Sequence, residues 1–248
     1  AAAIKQLLDP NLRAFAHSRE ANSSNLRGFV SSCETKEPFD FLAQHFGELY
    51  TVKENVAELR KAILQLAVMG RLVPQSPSDP PASELLKEIS TQRTQLLENC
   101  YPNESESRTQ FSKQTKQALP ETLPTLPAGW AWATLMQCAL LVVDCHNKTA
   151  PYSDSGIVLL RTSNIRNGSL LLDDVKYVTQ TTFKRWAART APEAGDILIT
   201  REAPMGEVCI IPSEPQVCMG QRIMLIRLLP QTINNQFIIA HLRFFRAA

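Results

Sequence analysis

AGDILITREAPMGEVCIIPSEPQVCMGQRIMLIRL, residues Ala194–Leu228, decides how this chain reads. The stretch holds three apolar runs, Ile197–Thr200, Val208–Ile211 and Ile223–Leu228, separated by clusters of proline, glycine and polar residues. β-Branched and aliphatic runs punctuated in this way predict consecutive strands joined by tight connections. Arg201 and Glu202 follow directly on the first run, and Ala203-Pro204-Met205-Gly206 turns the chain back. A charged pair on a stiff turn between buried strands is either a solvated tip or a contact surface. Taken alone, these residues leave both readings open.

The surrounding sequence extends the strand pattern. Trp130 and Trp132, two apart and followed by Leu135, have the same-face spacing of a strand edge that covers a core. Cys138–Asp144 reads as a buried strand, and 146–156 as a loop carrying Lys148, Thr149 and Tyr152. Gly156–Ser163 reads as strand, Asn164–Ser169 as a tight turn and Leu170–Val178 as a further strand. Thr181–Arg189 fits a short helix capped by a threonine. Beyond the strands, Asn235–Arg246 places Phe237, Ile238, His241, Leu242 and Phe245 on one helical stripe. Residues 129–248 are therefore expected to form a strand-rich mixed α/β domain.

The amino-terminal half has a different period. Residues 1–38 are polar, serine-rich and without sustained periodicity, which marks them as peripheral. From residue 39 to residue 98 the pattern is helical. Val52, Val56, Leu59, Ile63, Leu66 and Gly70 recur at steps of four and three, an a/d seam over about two heptads. Such a seam serves a helical bundle as well as a coiled coil. Gly70 suits a helix C-cap, and Pro74 forbids continuation. Asp79 with Pro80 and Pro81 is a good helix start, and Leu85, Leu86, Ile89, Leu96 and Leu97 give a second amphipathic helix, predicting a helical hairpin. Residues 99–128, rich in Ser, Glu, Gln, Thr and Pro, read as an extended linker. The fold class is α+β: a coiled-coil-like helical region, then the strand-rich domain.

Composition narrows function without choosing it. An apolar share of 44% and a charged share of 20% over 248 residues describe an ordinary globular protein, and no run approaches membrane-spanning length. No secretory leader is visible, and the six cysteines lack a disulfide spacing, so reduced thiols in the cytoplasm are expected. Net charge is +2, but residues 1–128 carry 14 Lys/Arg against 15 Asp/Glu, whereas 129–248 carry 12 against 9. The second half is mildly basic, which permits DNA binding without demanding it.

Enzymatic chemistry is poorly supplied. No G-x-x-x-x-G-K-[ST] or G-x-G-x-x-G occurs, and Ala150-Pro151-Tyr152 lacks the acid or amide and second proline of a methyltransferase loop. The cysteines lack C-x-x-C spacing, so no metal site is expected, and Cys145 and His146, being adjacent, point apart if extended. Asp174-Val175-Lys176 with Asp154 has the form of a magnesium-dependent nuclease motif, an alternative weighed against an ordinary strand facing solvent. Base readers are better supplied. Asn pairs with adenine and Arg with guanine when rigid loops carry them into the major groove. Lys148 and Thr149, then Arg161, Ser163, Asn164 and Arg166, then Arg201 and Glu202, lie on or beside three such tips. Gln221 and Arg222 stand at a strand entrance and are expected to brace those loops.

GDILITREAPMGEV (195–208) and MGQRIMLIRL (219–228), preceded by DCHNKTAPY (144–152) and GIVLLRTSNIRNGSL (156–170), resemble the target recognition domain of type I restriction-modification specificity subunits. AELRKAILQLAVMGRLVPQSPSDPPASELLKEI (57–89) resembles the helical conserved region that precedes that domain. The resemblance covers roughly Phe39–Leu97 and Leu126–Leu242, with several motifs in one order. It implies a non-catalytic subunit that reads one half of a bipartite double-stranded DNA target. It also implies docking of methyltransferase (modification) and restriction subunits, here through Val52, Val56, Leu59, Ile63 and Leu66. S-adenosylmethionine, ATP and Mg would then belong to those partners, with no cofactor on this chain and no membrane. A purely helical adaptor is the further alternative. The family pattern continues past a point equivalent to Ala248, so the recognition domain is expected to be incomplete at its C-terminal end, as a fragment or a truncated product. Its usual Asp-Cys, spacer, His-Lys-Thr order is altered in DCHNKTAPY.

Overall fold

The computed structural model describes residues 44, 45, 47, 53–100, 115–145 and 148–247. Its elements, in order, are α1 (Lys53–Val68), α2 (Ala82–Cys100), α3 (Leu135–Cys138), β1 (Ala139–Asp144), β2 (Ile157–Leu160), a 3-10 turn (Thr162–Asn164), β3 (Ile165–Arg166), β4 (Ser169–Leu170) and β5 (Lys176–Val178). There follow α4 (Gln180–Trp186), β6 (Ile197–Thr200), β7 (Val208–Ile210), β8 (Val217–Met219), β9 (Ile223–Leu228) and α5 (Asn235–Ala247). The architecture is mixed α+β. Two compact units divide the chain, one of Ala1–Ser83, Ala118–Trp132 and Phe244–Ala248, the other of Glu84–Gln117 and Ala133–Arg243.

In the first unit, α1 ends where Gly70 takes a left-handed φ of 67°. The Arg71 amide donates to Leu66 O (2.8 Å) and the Gly70 amide to Ala67 O (3.1 Å), the paired bonds of a Schellman cap. The indole of Trp130 lies against Gly70, where an added Cβ would sit 2.7 Å from the ring, and its Nε1 donates to Gln75 Oε1 (2.6 Å). Trp132 Nε1 donates to Pro124 O (2.9 Å). The two tryptophans thus hold turns, not a strand edge, and they tie down the end of the expected linker. Along the predicted seam, Leu59 and Leu66 are half-buried and Ile63 is 40% exposed, while Val68, off the seam, is buried. Val52 lies outside the described residues, and the side chain of Val56 does too. The helix start expected at Asp79 is displaced: α2 begins at Ala82, after both prolines.

The second unit is built on two sheets. One has the order β1-β9-β6-β7, all antiparallel; the other is β5-β2-β8, with β2 and β8 parallel; β3 and β4 form a small ribbon. Alternate residues of the first sheet enter different cores. Leu198, Cys209, Ile223 and Leu225 join Val158, Leu160, Val217 and Met219 in one. Ile197, Val208, Ile226 and Leu228 pack with Ile238 and Ile239 of α5 in the other. Burial on both faces is why these strands read as near-continuous apolar runs and not as an alternation. Ile89 of α2 packs on Leu140 and Leu141, and Phe183 of α4 on Leu159, Val178 and Cys218.

Several expectations are corrected here. The connection Pro212–Arg222 contains a further strand, β8, which leaves the first sheet to pair with β2. Leu170–Val178 is not one strand but β4 and β5 separated by a loop. α5 buries Ile238 and Ile239, whereas Phe237 of the predicted stripe is 39% exposed and meets His241 in a tilted ring contact. The short helix after β5 is capped by a threonine, Thr179, whose side chain accepts from the Thr182 amide.

Candidate nucleic-acid interface

Strand register gathers the loops. Asp144 stands opposite Met224, Thr200 opposite Ile223, and Ile199 opposite Val208. The exits of β1 and β6 and the entrances of β7 and β9 therefore lie at one end of the sheet. Gly220 draws β2 to the same end, because its amide donates to Leu160 O (2.8 Å) and an added Cβ would stand 2.4 Å from that oxygen.

The turn after β6 is tightly held. The Thr200 hydroxyl donates to Pro204 O and accepts from the Glu207 amide (3.0 Å), while the Gly206 amide donates to Thr200 O (2.8 Å). The Arg201 amide donates to Arg222 O (2.8 Å), and its guanidinium Nη1 bonds Asp144 Oδ2. Glu202 pairs with Arg222 (3.2 Å), a contact in which both side chains are about half exposed. Ala203 and Arg222 adopt φ values of 44° and 70°, left-handed conformations that non-glycine residues adopt where surroundings impose them. Met205 stands at the apex, 74% exposed. Thr149 donates to Gln221 Oε1 (3.3 Å), so Gln221 and Arg222 act on the two neighbouring loops as braces. Lys148 is exposed, its carbonyl accepting from Trp186 Nε1 (3.4 Å). His146 and Asn147 lie outside the described residues.

The 161–174 segment is built otherwise. Asn164 is 2% exposed; its Oδ1 accepts from the Arg161 amide (2.9 Å), and its Nδ2 donates to Leu171 O (3.0 Å) and Asp174 O (2.9 Å). An amide so engaged and so buried braces its turn, and both of its N–H groups are already bonded to backbone carbonyls. Arg166 Nη1 donates to the carbonyls of Thr162 and Ile165, both at 2.6 Å. Arg161 donates to the carboxylate (2.8 Å) and carbonyl (2.9 Å) of Asp174. That pairing holds the Asp174 carboxyl below its ordinary pKa, through the hydrogen bond first and the charge second. It also occupies the carboxylate on which the nuclease alternative depends, while Asp154 and Lys176 remain exposed on the surface. Ser163 is exposed at the tip. Asn167-Gly168, with φ values of 53° and 85°, forms the primed hairpin turn that its sequence signals. Buried Glu207 accepts from the Asn167 amide (2.8 Å), which ties this hairpin to the turn after β6.

Nucleophilic chemistry is not favoured. Burial pushes the Cys209 and Cys218 thiols up to about 12, and raises Cys145 as well. Among the described residues no three His, Cys, Asp or Glu side chains gather where they could hold a metal ion.

The chain is 30% identical over 218 residues to the specificity subunit of the type I restriction enzyme EcoAI of Escherichia coli, a match covering 86% of this chain and 36% of that protein. It is 27% identical over 216 residues to the EcoEI specificity subunit of the same organism, covering 83% of this chain and 34% of that protein. Over most of its own length the chain is thus similar to type I restriction specificity subunits. No family model matches it. It spans about a third of the length of these relatives. The resemblance read from the motifs at 57–89 and 144–228 thus extends over most of the chain.

Of the expected site residues, the structure brings Thr149, Arg201 and Glu202 to one sheet end, with the 161–167 hairpin tied in through Glu207. Sequence reasoning missed Asp144, Glu207 and Met205. Asp144 carried a signal, as the one charge closing an apolar strand. Glu207 carried a fainter one, as an isolated acid between glycine and an apolar run. Met205 carried none.

Proposed function

We propose that this chain is the DNA-reading part of a type I specificity subunit, contacting one half of a bipartite double-stranded target. The observation that carries the proposal is the match to two specificity subunits over most of the chain. Its support in the fold is a cluster of polar tips on rigid turns, the arrangement that base and phosphate contacts need. Arg201 is assigned to a base edge, Lys148 to a phosphate, and Thr149 and Ser163 to polar contacts beside them. The chain itself is non-catalytic. S-adenosylmethionine, ATP and Mg act on the methyltransferase and restriction subunits with which it assembles in the cytoplasm. No described helix is long and apolar enough to cross a membrane.

Docking of the methyltransferase subunit is assigned to α1 and the seam of Val52, Val56, Leu59, Ile63 and Leu66. The exposure of Ile63 supports an unfilled apolar face there. Ile63→Asp tests it. At an exposed site the change should leave the chain's own stability within about 0.5 kcal/mol, while a charge buried at a joint should cost several kcal/mol of assembly. Unchanged assembly would remove the seam from the interface.

The decisive experiment is a footprint and salt-series titration of the complete complex on cognate and scrambled duplexes. Lys148→Ala should weaken both alike and reduce the salt slope by about one. A complex that does not prefer any sequence would overturn the proposal.

A further inference from the structure

We infer that Asp144 is a positioning residue that presents Arg201 to a guanine in the major groove; the inference deepens the DNA-reading function proposed above. Asp144 closes β1 and Arg201 follows β6, with β9 between them. The arginine side chain must therefore cross two strand spacings, roughly 9–10 Å, to reach the carboxylate. Its backbone is fixed at one end by the bond from its amide to Arg222 O (2.8 Å) and its head at the other by Asp144. A long, rotamer-rich side chain anchored at both ends has little freedom left to lose on binding, which is the usual cost of using arginine at an interface.

The bond geometry leaves a particular edge available. Asp144 engages Nη1 alone, and among the described residues Nε and Nη2 of Arg201 bond no protein atom. Two adjacent N–H groups on one side of a planar guanidinium match the O6 and N7 acceptors of guanine. Both side chains are about one-third exposed. Arg161 differs: its Nη2 is spent on Asp174 and its Nε is buried without a partner. Asp144 itself has an unusual accounting. Among the described residues Arg201 is its single hydrogen-bond partner, and its Oδ1 is buried with none. The contact that holds Arg201 is made by Oδ2, and Oδ1 takes no part in it.

The test uses the complete complex on its own recognition duplex, with each guanine of the half-site replaced singly by 7-deazaguanine, which lacks the N7 acceptor. Wild type should lose about tenfold in affinity at one position. Arg201→Ala should show no further loss at that position. Asp144→Ala should shrink the penalty to under threefold, while binding to scrambled duplex and its salt dependence stay as in wild type; Asp144→Asn, which keeps an acceptor for Nη1, should restore part of it. A penalty retained in full by both Asp144 variants overturns the inference and leaves Arg201 as a reader. A half-site insensitive to every 7-deazaguanine, or a penalty that survives Arg201→Ala, removes Arg201 itself and the inference with it. Absence of any cognate preference in wild type is the separate failure of the proposed function. Should Asp144→Ala not assemble, Asp144→Asn alone decides, since a merely structural aspartate would leave the guanine penalty unchanged in it.

Discussion

Two arginine–aspartate pairs clamp opposite ends of the same four-stranded sheet, and they are finished to different degrees. At one end, Arg227 of β9 grips Asp196 with two bonds (2.7 and 2.8 Å), adds Ala191 O (2.8 Å) and Glu193 (3.0 Å), and the Asp196 side chain is 4% exposed. At the other end, Arg201 meets Asp144 through one nitrogen, with both side chains about one-third exposed and one carboxylate oxygen orphaned. The first pair has used its hydrogen-bonding capacity within the fold. The second has capacity left over. The end proposed to face DNA is the one whose pair keeps hydrogen-bonding capacity and is open to water.

The largest effect expected from this difference is on stability. Asp196→Ala should remove the buried carboxylate and leave the half-buried Arg227 guanidinium with only Ala191 O and Glu193, at a cost of about 3 kcal/mol in urea unfolding. Asp144→Ala should cost under about 1 kcal/mol, because its partner can reach water. Equal costs would dissolve the distinction between a structural and a presenting pair. Next comes Asn164→Ala. Removing three bonds from a buried turn should cost about 1–3 kcal/mol of stability. Any loss of DNA affinity should then track the loss of fold. A selective loss on cognate DNA in an otherwise stable variant would return Asn164 to the readers.

Arg201→Ala sharpens the comparison from the binding side. It should cost about 1–3 kcal/mol on cognate duplex and much less on scrambled DNA, with unfolding nearly unchanged. Parallel losses on both duplexes would demote Arg201 to a backbone contact. Smaller still is Glu202→Ala, which should change stability by less than about 1 kcal/mol, since its pair with Arg222 is half exposed.

The smallest effect concerns pH. Arg161 depresses the folded-state pKa of Asp174, so the pair contributes stability above the ordinary aspartate pKa, and that contribution fades as pH falls through the lower folded value. Asp174→Asn should flatten this slope below about pH 4 and lower neutral-pH stability by the same small amount. An unchanged acid profile would mean that solvent screens the pair completely.

Sequence alone determined a good deal. β6 and β9 coincide with the apolar runs Ile197–Thr200 and Ile223–Leu228, and the primed turn at Asn167-Gly168 and the cap at Gly70 were legible, because each depends on local chemistry. The similarity to specificity subunits was legible too, through ordered motifs on both sides of the linker. β8 was not: Val217–Met219 is three residues between Pro215 and Gly220, and its parallel partner β2 lies some sixty positions earlier. Nor could the pattern tell which face of α5 or α1 is covered, since the stripes containing Phe237 and Ile63 are as apolar as those that are buried. The same limit governs the site. Asn164, Arg161 and Arg201 look alike as polar residues beside strands, but two are consumed by Leu171 and Asp174 and one is held across β9 by Asp144. Side-chain chemistry is local and the sequence states it; hydrogen-bond partners come from distant strands, and only the tertiary fold assigns them.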